Sequence, residues 1–399
     1  MRVVADGETA RIHVFGSLCL LVFLVNFGRI VFAPLLDPFM GTFGVGEATV
    51  GLVATLAWLG SAVPRLPTGY LLLYLDRHRV VLLTGLLLAA SSAFTATAES
   101  ILHVGVGAFV MGSSSGAYFV AANPLVSELF PDRVGRVIGI HGTASQLAAV
   151  VAPLSIGLVI AVSTWRMVFW ALSIVALVGT AGLYVAARRA TLPTVQSGER
   201  RLLQSVRNQW PIVLTGVAII GATGFVWNGF FNFYVSYLTA TKGIGLGTAQ
   251  TLLTVVFAAG VPAFWYTGRL ADRVNHVTLM LAILIAFLST LLVLTAVQSF
   301  FAVVAVSIVL GYVVHSLFPA LDTYLLDNLP DTDRASAYAA YSASMMLIQA
   351  GASVVVGWLV ENGFAYDTVY RSFAVGLFVI FVVLVWLRRA DRLPEAART

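Results

Sequence analysis

Residues 267–276 read TGRLADRVNH and residues 68–78 read TGYLLLYLDRH, two short charged turns wedged between long runs of Leu, Val, Ala and Phe. Their Thr-Gly pairs stand 199 residues apart in a chain of 399. The same offset relates Gly112 to Gly311, Pro131-Asp132 to Pro330-Asp331, and acidic Glu128 to acidic Asp327. One spacing recurring in separate places marks two parallel repeats, related by an axis along a membrane normal. The charged corner occurs twice because the unit that carries it does.

Hydrophobic residues make up 59% of the chain and charged residues 10%, against about 25% charged in a soluble domain. Mean hydropathy is +0.93. Such a chain cannot cover itself with polar surface, so an all-α, polytopic integral membrane protein is expected. At about 20 apolar residues per crossing, twelve spans are predicted, at 12–36, 48–74, 80–98, 101–127, 137–162, 166–187, 211–238, 248–271, 277–297, 300–325, 335–360 and 370–389. They form two pseudo-symmetric six-helix bundles, 1–187 and 211–399, joined by a linker at 188–210. Within the linker, ERRLLQSVRNQW suits either an amphipathic helix on an anionic leaflet or a plain solvated connection.

The net charge of +5 comes almost wholly from arginine, Lys242 being the single lysine. With the N-terminus inside, 18 of the 23 basic residues fall in inner loops and tails, and three (Arg166, Lys242 and Arg371) in outer loops. This positive-inside asymmetry places both termini in the cytoplasm, with the chain in the plasma or inner membrane. It also accounts for the basic residues better than a nucleic-acid surface does. The lone Cys19 excludes an internal disulfide framework and a Cys-based metal site. The first apolar run is too long for a signal peptide, lacks a small-residue cleavage site and belongs to the repeat.

The corners carry a known pattern. With Gly268, Leu270, Ala271, Asp272 and Arg273, the second corner resembles the loop signature of the major facilitator superfamily, approximately Gly-x-Leu-Ala-Asp-Arg-x-Gly-Arg. Asn275 and His276 replace its final Gly and Arg. The first corner keeps Gly69 and Leu71, with Leu73 at the usual Asp position and an acid displaced to Asp76. AANPLVSELFPDRVGRVIGI (121–140) is similar to the family's connection from helix 4 to helix 5. Ala108 stands near where many proton-driven members have Arg, and AAVVAPLSIG around Pro153 lacks most glycines of the antiporter signature. The resemblance implies a twelve-helix transporter working by alternating access, symporter or antiporter; the two corners, with Gly69, Asp76, Arg77, Gly268, Asp272 and Arg273, form the candidate cytoplasmic gate, in which the family's contact does not carry over to Leu73 and its replacement by Asp76 is open.

Polar residues within the spans point to a site. An arginine at the centre of a spanning helix costs about 2.5–3.5 kcal/mol on insertion scales and needs a partner or a wet cavity. Arg29 lies in NFGRIVFAPLL and Arg65 in WLGSAVPRLPTG, where Pro64 and Pro67 free carbonyls that can line a cavity. Arg65 suits capping of those carbonyls or pairing with an acid, and Arg29 suits snorkelling toward Asp37. Alternatively, both hold an anionic substrate. Asn26 shares a helix face with Arg29, and the 199 offset places Asn228 opposite it, with Asn232, Trp227 and Tyr234 nearby. The candidate binding set is Arg29, Arg65, Asn26, Trp227, Asn228, Asn232 and Tyr234. His315 and Asp322 form a candidate proton-coupling pair, because histidine titrates in the working range. His141, Gln146, Gln349 and Tyr341 are weaker candidates.

No nucleotide loop, zincin pair or nucleophile elbow is present, so neither an enzyme nor a bound cofactor or metal is expected. The expected partners are a small solute, a coupling ion and membrane lipid, with a monomer sufficient. The function these features indicate is secondary active transport of an organic or inorganic anion. Proton-coupled efflux of hydrophobic or cationic compounds is the alternative, and a non-transporting membrane receptor or enzyme the third reading.

Overall fold

A computed structural model describes residues 2–72, 74–192, 202–271, 273–329, 331–390 and 393. Among these, twelve helices are long and apolar enough to cross a bilayer, the number expected from the sequence. They are α1 (Thr9–Ile30), α2 (Glu47–Leu71), α3 (Arg77–Ala96), α4 (Ile101–Leu129), α5 (Arg136–Val162), α6 (Trp165–Ala187), α7 (Arg207–Asn232), α8 (Leu246–Ala263), α9 (His276–Ala296), α10 (Phe300–Phe318), α11 (Ala340–Glu361) and α12 (Tyr366–Arg389). The chain folds as two compact units, Met1–Val45 with Leu52–Gly198 and Gly46–Gly51 with Glu199–Thr399.

The internal duplication is visible in the backbone. After α1 a short helix, Leu36–Phe43, ends at Gly44 with φ 64°. After α7 another, Tyr234–Lys242, ends at Gly243 with φ 65°. These left-handed caps need glycine, which has no Cβ to clash, and they stand 199 residues apart. Glu47 and Leu246, which open α2 and α8, keep that register, as do the 29-residue helices Ile101–Leu129 and Phe300–Asn328. By the start of α6 at Trp165 and α12 at Tyr366 the offset has grown to 201.

Packing explains why the register survives. A Cβ at Gly112 would strike the carbonyl oxygen of Ala57, and one at Gly311 would strike that of Val256. Ala57 and Val256 are themselves 199 residues apart. Without hydrophobic drive between helices in lipid, close backbone approach supplies the contact, and only glycine permits it here. A second equivalent contact has its sizes exchanged. Gly116 of α4 meets the Ser61 backbone of α2, whereas Gly260 of α8 makes room for the His315 ring of α10.

Several helices break where polar residues gather. α1 stops one residue after Arg29, and α2 is interrupted at Val63-Pro64 immediately before Arg65. Pro64 has no N–H to return to the preceding turn. In α7 a π-turn spans Val217–Gly221, the kind of insertion that frees a carbonyl. Gln349 of α11 donates through Nε2 to the Ile220 carbonyl at 3.3 Å.

The three basic residues that the charge pattern sets apart from the others all bind backbone carbonyls. Arg166 Nη2 donates to Ala98 O at 2.9 Å, and Lys242 Nζ to Val297 O at 3.0 Å. Ala98 and Val297, just past the ends of α3 and α9, are again 199 residues apart. Arg371 Nη2 donates to Thr295 O at 3.3 Å. Cations at these carbonyls complement the negative ends of α3 and α9, so they are structural ties as well as exceptions to the charge asymmetry.

Candidate functional site

In the first unit, Arg29 occupies the last turn of α1 and is held by neutral groups. Its Nη2 donates to Asn26 Oδ1 at 2.6 Å, and Asn26 Nδ2 donates in turn to the Ser145 carbonyl of α5 at 2.7 Å. The guanidinium lies over the Trp58 ring of α2, 4.4 Å from its centroid, a cation–π contact. Arg29 Nε is buried and has no hydrogen-bond partner. Among the described residues, Arg29 meets no carboxylate. Arg65 donates through Nε to the Ser61 carbonyl at 3.2 Å, tying it to the break in its own helix.

The second unit holds a neutral cluster at the matching place. Asn232 Nδ2 donates to both the backbone carbonyl and Oδ1 of Asn228, each at 2.9 Å. Ser353 Oγ of α11 donates to the same Oδ1 at 3.2 Å. Asn228 Nδ2 is buried without a partner. Trp227 lies edge-to-face with Phe257 and with His315, at 5.9 and 5.3 Å between ring centres. His315 Nδ1 donates to the Gly311 carbonyl at 2.7 Å, because only nitrogen can supply that proton. Tyr234 is fully buried and shares a 2.6 Å hydrogen bond with Ser307. The side chain of Asp322, the expected partner of His315, lies outside the described residues.

Among the weaker candidates, His141 of α5 stacks on Tyr118 of α4. The Tyr118 hydroxyl donates to the Leu18 carbonyl at 2.6 Å, so His141 Nε2, 3.0 Å from that oxygen, must be its donor. Gln349 serves the π-turn, Tyr341 is buried and Gln146 half-buried. At the first corner Arg77 pairs with Glu128 at 3.1 Å and Asp76 with Arg79 at 3.2 Å, while Gly69 is half-buried. At the second, Arg273 is exposed, and Asp272 and what surrounds Gly268 lie outside the described residues.

Trp58, Ser353 and Tyr118 were not identifiable from sequence. Trp58 opens WLGSAVPRLPTG, yet its tie to Arg29 requires that particular side chain of α2 to arrive beside the last turn of α1. Ser353 follows Gln349 by one helical turn, which links two weak polar positions on one face of α11.

The sequence pattern of the Major Facilitator Superfamily matches residues 18–288 and 217–399. A probable sulfoacetate transporter, SauU, of Cupriavidus necator is 25% identical over 385 residues, covering 89% of this chain and 88% of that protein. A probable 4-methylmuconolactone transporter of Cupriavidus pinatubonensis is 23% identical, covering 84% and 80%. Among solved structures, a bacterial homolog of the human lysosomal transporter Spinster superposes with a TM-score of 0.79 at 17% identity, covering 98% of this chain and 99% of that one. The nucleoside transporter NupG superposes at 0.78 with 12% identity, covering 95% and 99%. These likenesses establish the fold. The chain belongs to the Major Facilitator Superfamily, as a multi-pass membrane transporter of a small solute rather than an enzyme.

Proposed function

We propose that this transporter carries a small organic or inorganic anion, anchored by Arg29 with Arg65 adding positive potential. One observation carries the reading. The Arg29 guanidinium, whose Nε is buried without a hydrogen-bond partner, meets no carboxylate among the described residues. A positive charge left uncompensated in a low-dielectric setting is stabilised by an anion. Asn26 and Trp58 fix the guanidinium plane without neutralising it, which leaves its charge for the solute. The solutes named for two relatives, sulfoacetate and 4-methylmuconolactone, both carry an acid group.

Movement follows alternating access of two repeats, driven by an ion or solute gradient in the plasma or inner membrane with both termini cytoplasmic. The corner residues Gly69, Asp76, Arg77, Gly268, Asp272 and Arg273 form the cytoplasmic gate, and His315 with Asp322 is the candidate proton pair. Counterflow in proteoliposomes tests the anion site. Arg29→Ala and Arg65→Ala variants are expected to lose transport, and normal rates in both folded variants would remove it. The aromatic cluster of Trp227, Phe257 and His315 supports the other reading, efflux of hydrophobic or cationic compounds. That reading requires Asp322→Asn to abolish transport while both arginine changes are tolerated.

A further inference from the structure

We infer that a cleft on the lipid-facing side of the second unit holds an anionic phospholipid, drawn from the leaflet that meets the charged corner at 267–276. The inference stands apart from the anion reading, since it involves neither Arg29 nor the transported solute.

The cleft lies wholly within the second unit. The helix that begins with α8 runs on to Ala271, and its last turns form one wall with Thr267 and Leu270. α9 forms the other wall with Leu279, Ala282 and Ala286. Both helices pack on α10, whose Tyr312 lies between the walls. The volume is about 180 Å³, below the roughly 300–1,000 Å³ of a pocket for a drug-sized solute and suited to one segment of chain. From Leu279 to Ala286 the wall rises about 10 Å along the helix axis. Leu270 and Ala282 are exposed, so the cleft is open to the surroundings of the bundle. α9 is the most apolar of the twelve spans, with a mean hydropathy of 2.8. What lies against its exposed flank is therefore hydrocarbon, not water.

Two features select the lipid. In the matching helix of the first unit, 199 residues earlier, Leu83 and Leu87 stand where α9 has Ala282 and Ala286, and both leucines are exposed. The alanines withhold volume that the other repeat supplies, and so leave the slot. Arginines gather at its corner end. Arg269 adjoins Leu270, and Arg273 donates its backbone N–H to the Leu270 carbonyl at 3.0 Å; both residues are exposed. Arg388 of α12 donates to Thr278 Oγ1 at 2.6 Å, and Thr278 lies one turn before Ala282 on the same face of α9. An apolar slot with a basic mouth matches an acyl chain joined to an anionic headgroup, and basic sites at the membrane surface attract such headgroups.

The test titrates delipidated full-length protein in detergent with phosphatidylglycerol or phosphatidylcholine of identical chains, and reads bound lipid by mass spectrometry of the intact protein. The wild type is expected to retain one phosphatidylglycerol at about tenfold lower concentration than phosphatidylcholine, the scale of one or two arginines near a membrane surface. Ala282→Leu with Ala286→Leu, which copies the first unit, should weaken that binding about tenfold. Arg273→Gln with Arg388→Gln should bring the two lipids to parity. Glycerophosphoglycerol, the headgroup without its chains, should not displace the lipid. The two double variants act at opposite ends of the cleft, so either decides if the other fails to fold. Equal retention of both lipids by the wild type, undiminished binding in the leucine variant, a preference unchanged in the glutamine variant, or displacement by the bare headgroup overturns the inference.

Discussion

The two units share a backbone and differ in what they put on it. Gly44 and Gly243, the Gly112–Ala57 and Gly311–Val256 contacts, and the cation-bound carbonyls of Ala98 and Val297 all keep one register. At Arg29 and Asn228 the same register carries a charged group over an indole in one unit and a neutral amide cluster in the other. Steric necessity explains the glycines, because a Cβ at Gly112 or Gly311 would strike backbone and one at Gly44 or Gly243 would strain a left-handed φ. No such constraint acts on the polar positions, so each unit acquired its own chemistry. Duplication here conserved the frame and released the site.

The comparison is broken most severely by making the first unit resemble the second. Arg29→Asn is expected to cut transport about a hundredfold, in line with the roughly 2–5 kcal/mol lost when one partner of a buried charged contact is truncated, measured as initial uptake in proteoliposomes. The shared frame is tested next by Gly112→Ala and Gly311→Ala. Each should destabilise the protein by about 1–3 kcal/mol through overpacking, read as earlier thermal unfolding in detergent. Gly16→Ala, with open space around it, should not, and a loss at only one of the paired glycines would mean that the two contacts are not equivalent. Trp58→Leu should weaken solute affinity by roughly threefold to thirtyfold, the range of a partly desolvated cation–π contact, while Phe257→Leu at the matching position leaves the anion contact intact. The smallest effect is expected from Gln349→Leu. Loss of its hydrogen bond to Ile220 should cost about 1 kcal/mol and be visible as faster amide exchange across the π-turn.

Much of the frame is legible in the sequence. Span length, the arginine asymmetry and the 199-residue offset are one-dimensional signals, set by bilayer thickness and by duplication, and they survive without knowledge of packing. Arg29, Arg65, Asn26 and Asn228 were legible as candidates for a similar reason, since polar groups in apolar runs stand out. Their surroundings were not. Whether Arg29 faces an acid or an indole depends on which residue of α2 arrives beside it, and no spacing along α1 reports that. Arg166, Lys242 and Arg371 show the opposite limit. Their positions suggested loop charges, whereas their side chains tie helix ends together.

The sequence by itself determined a membrane-embedded, twelve-helix, duplicated chain, because composition and period act through local solvation and chain length. Tertiary structure alone decided that Arg29 rests on Trp58 and Asn26, and that Asn228 keeps an unmet donor. The first depends on Trp58 arriving from α2 and the second on Ser353 arriving from α11, which no spacing along α1 or α7 reports.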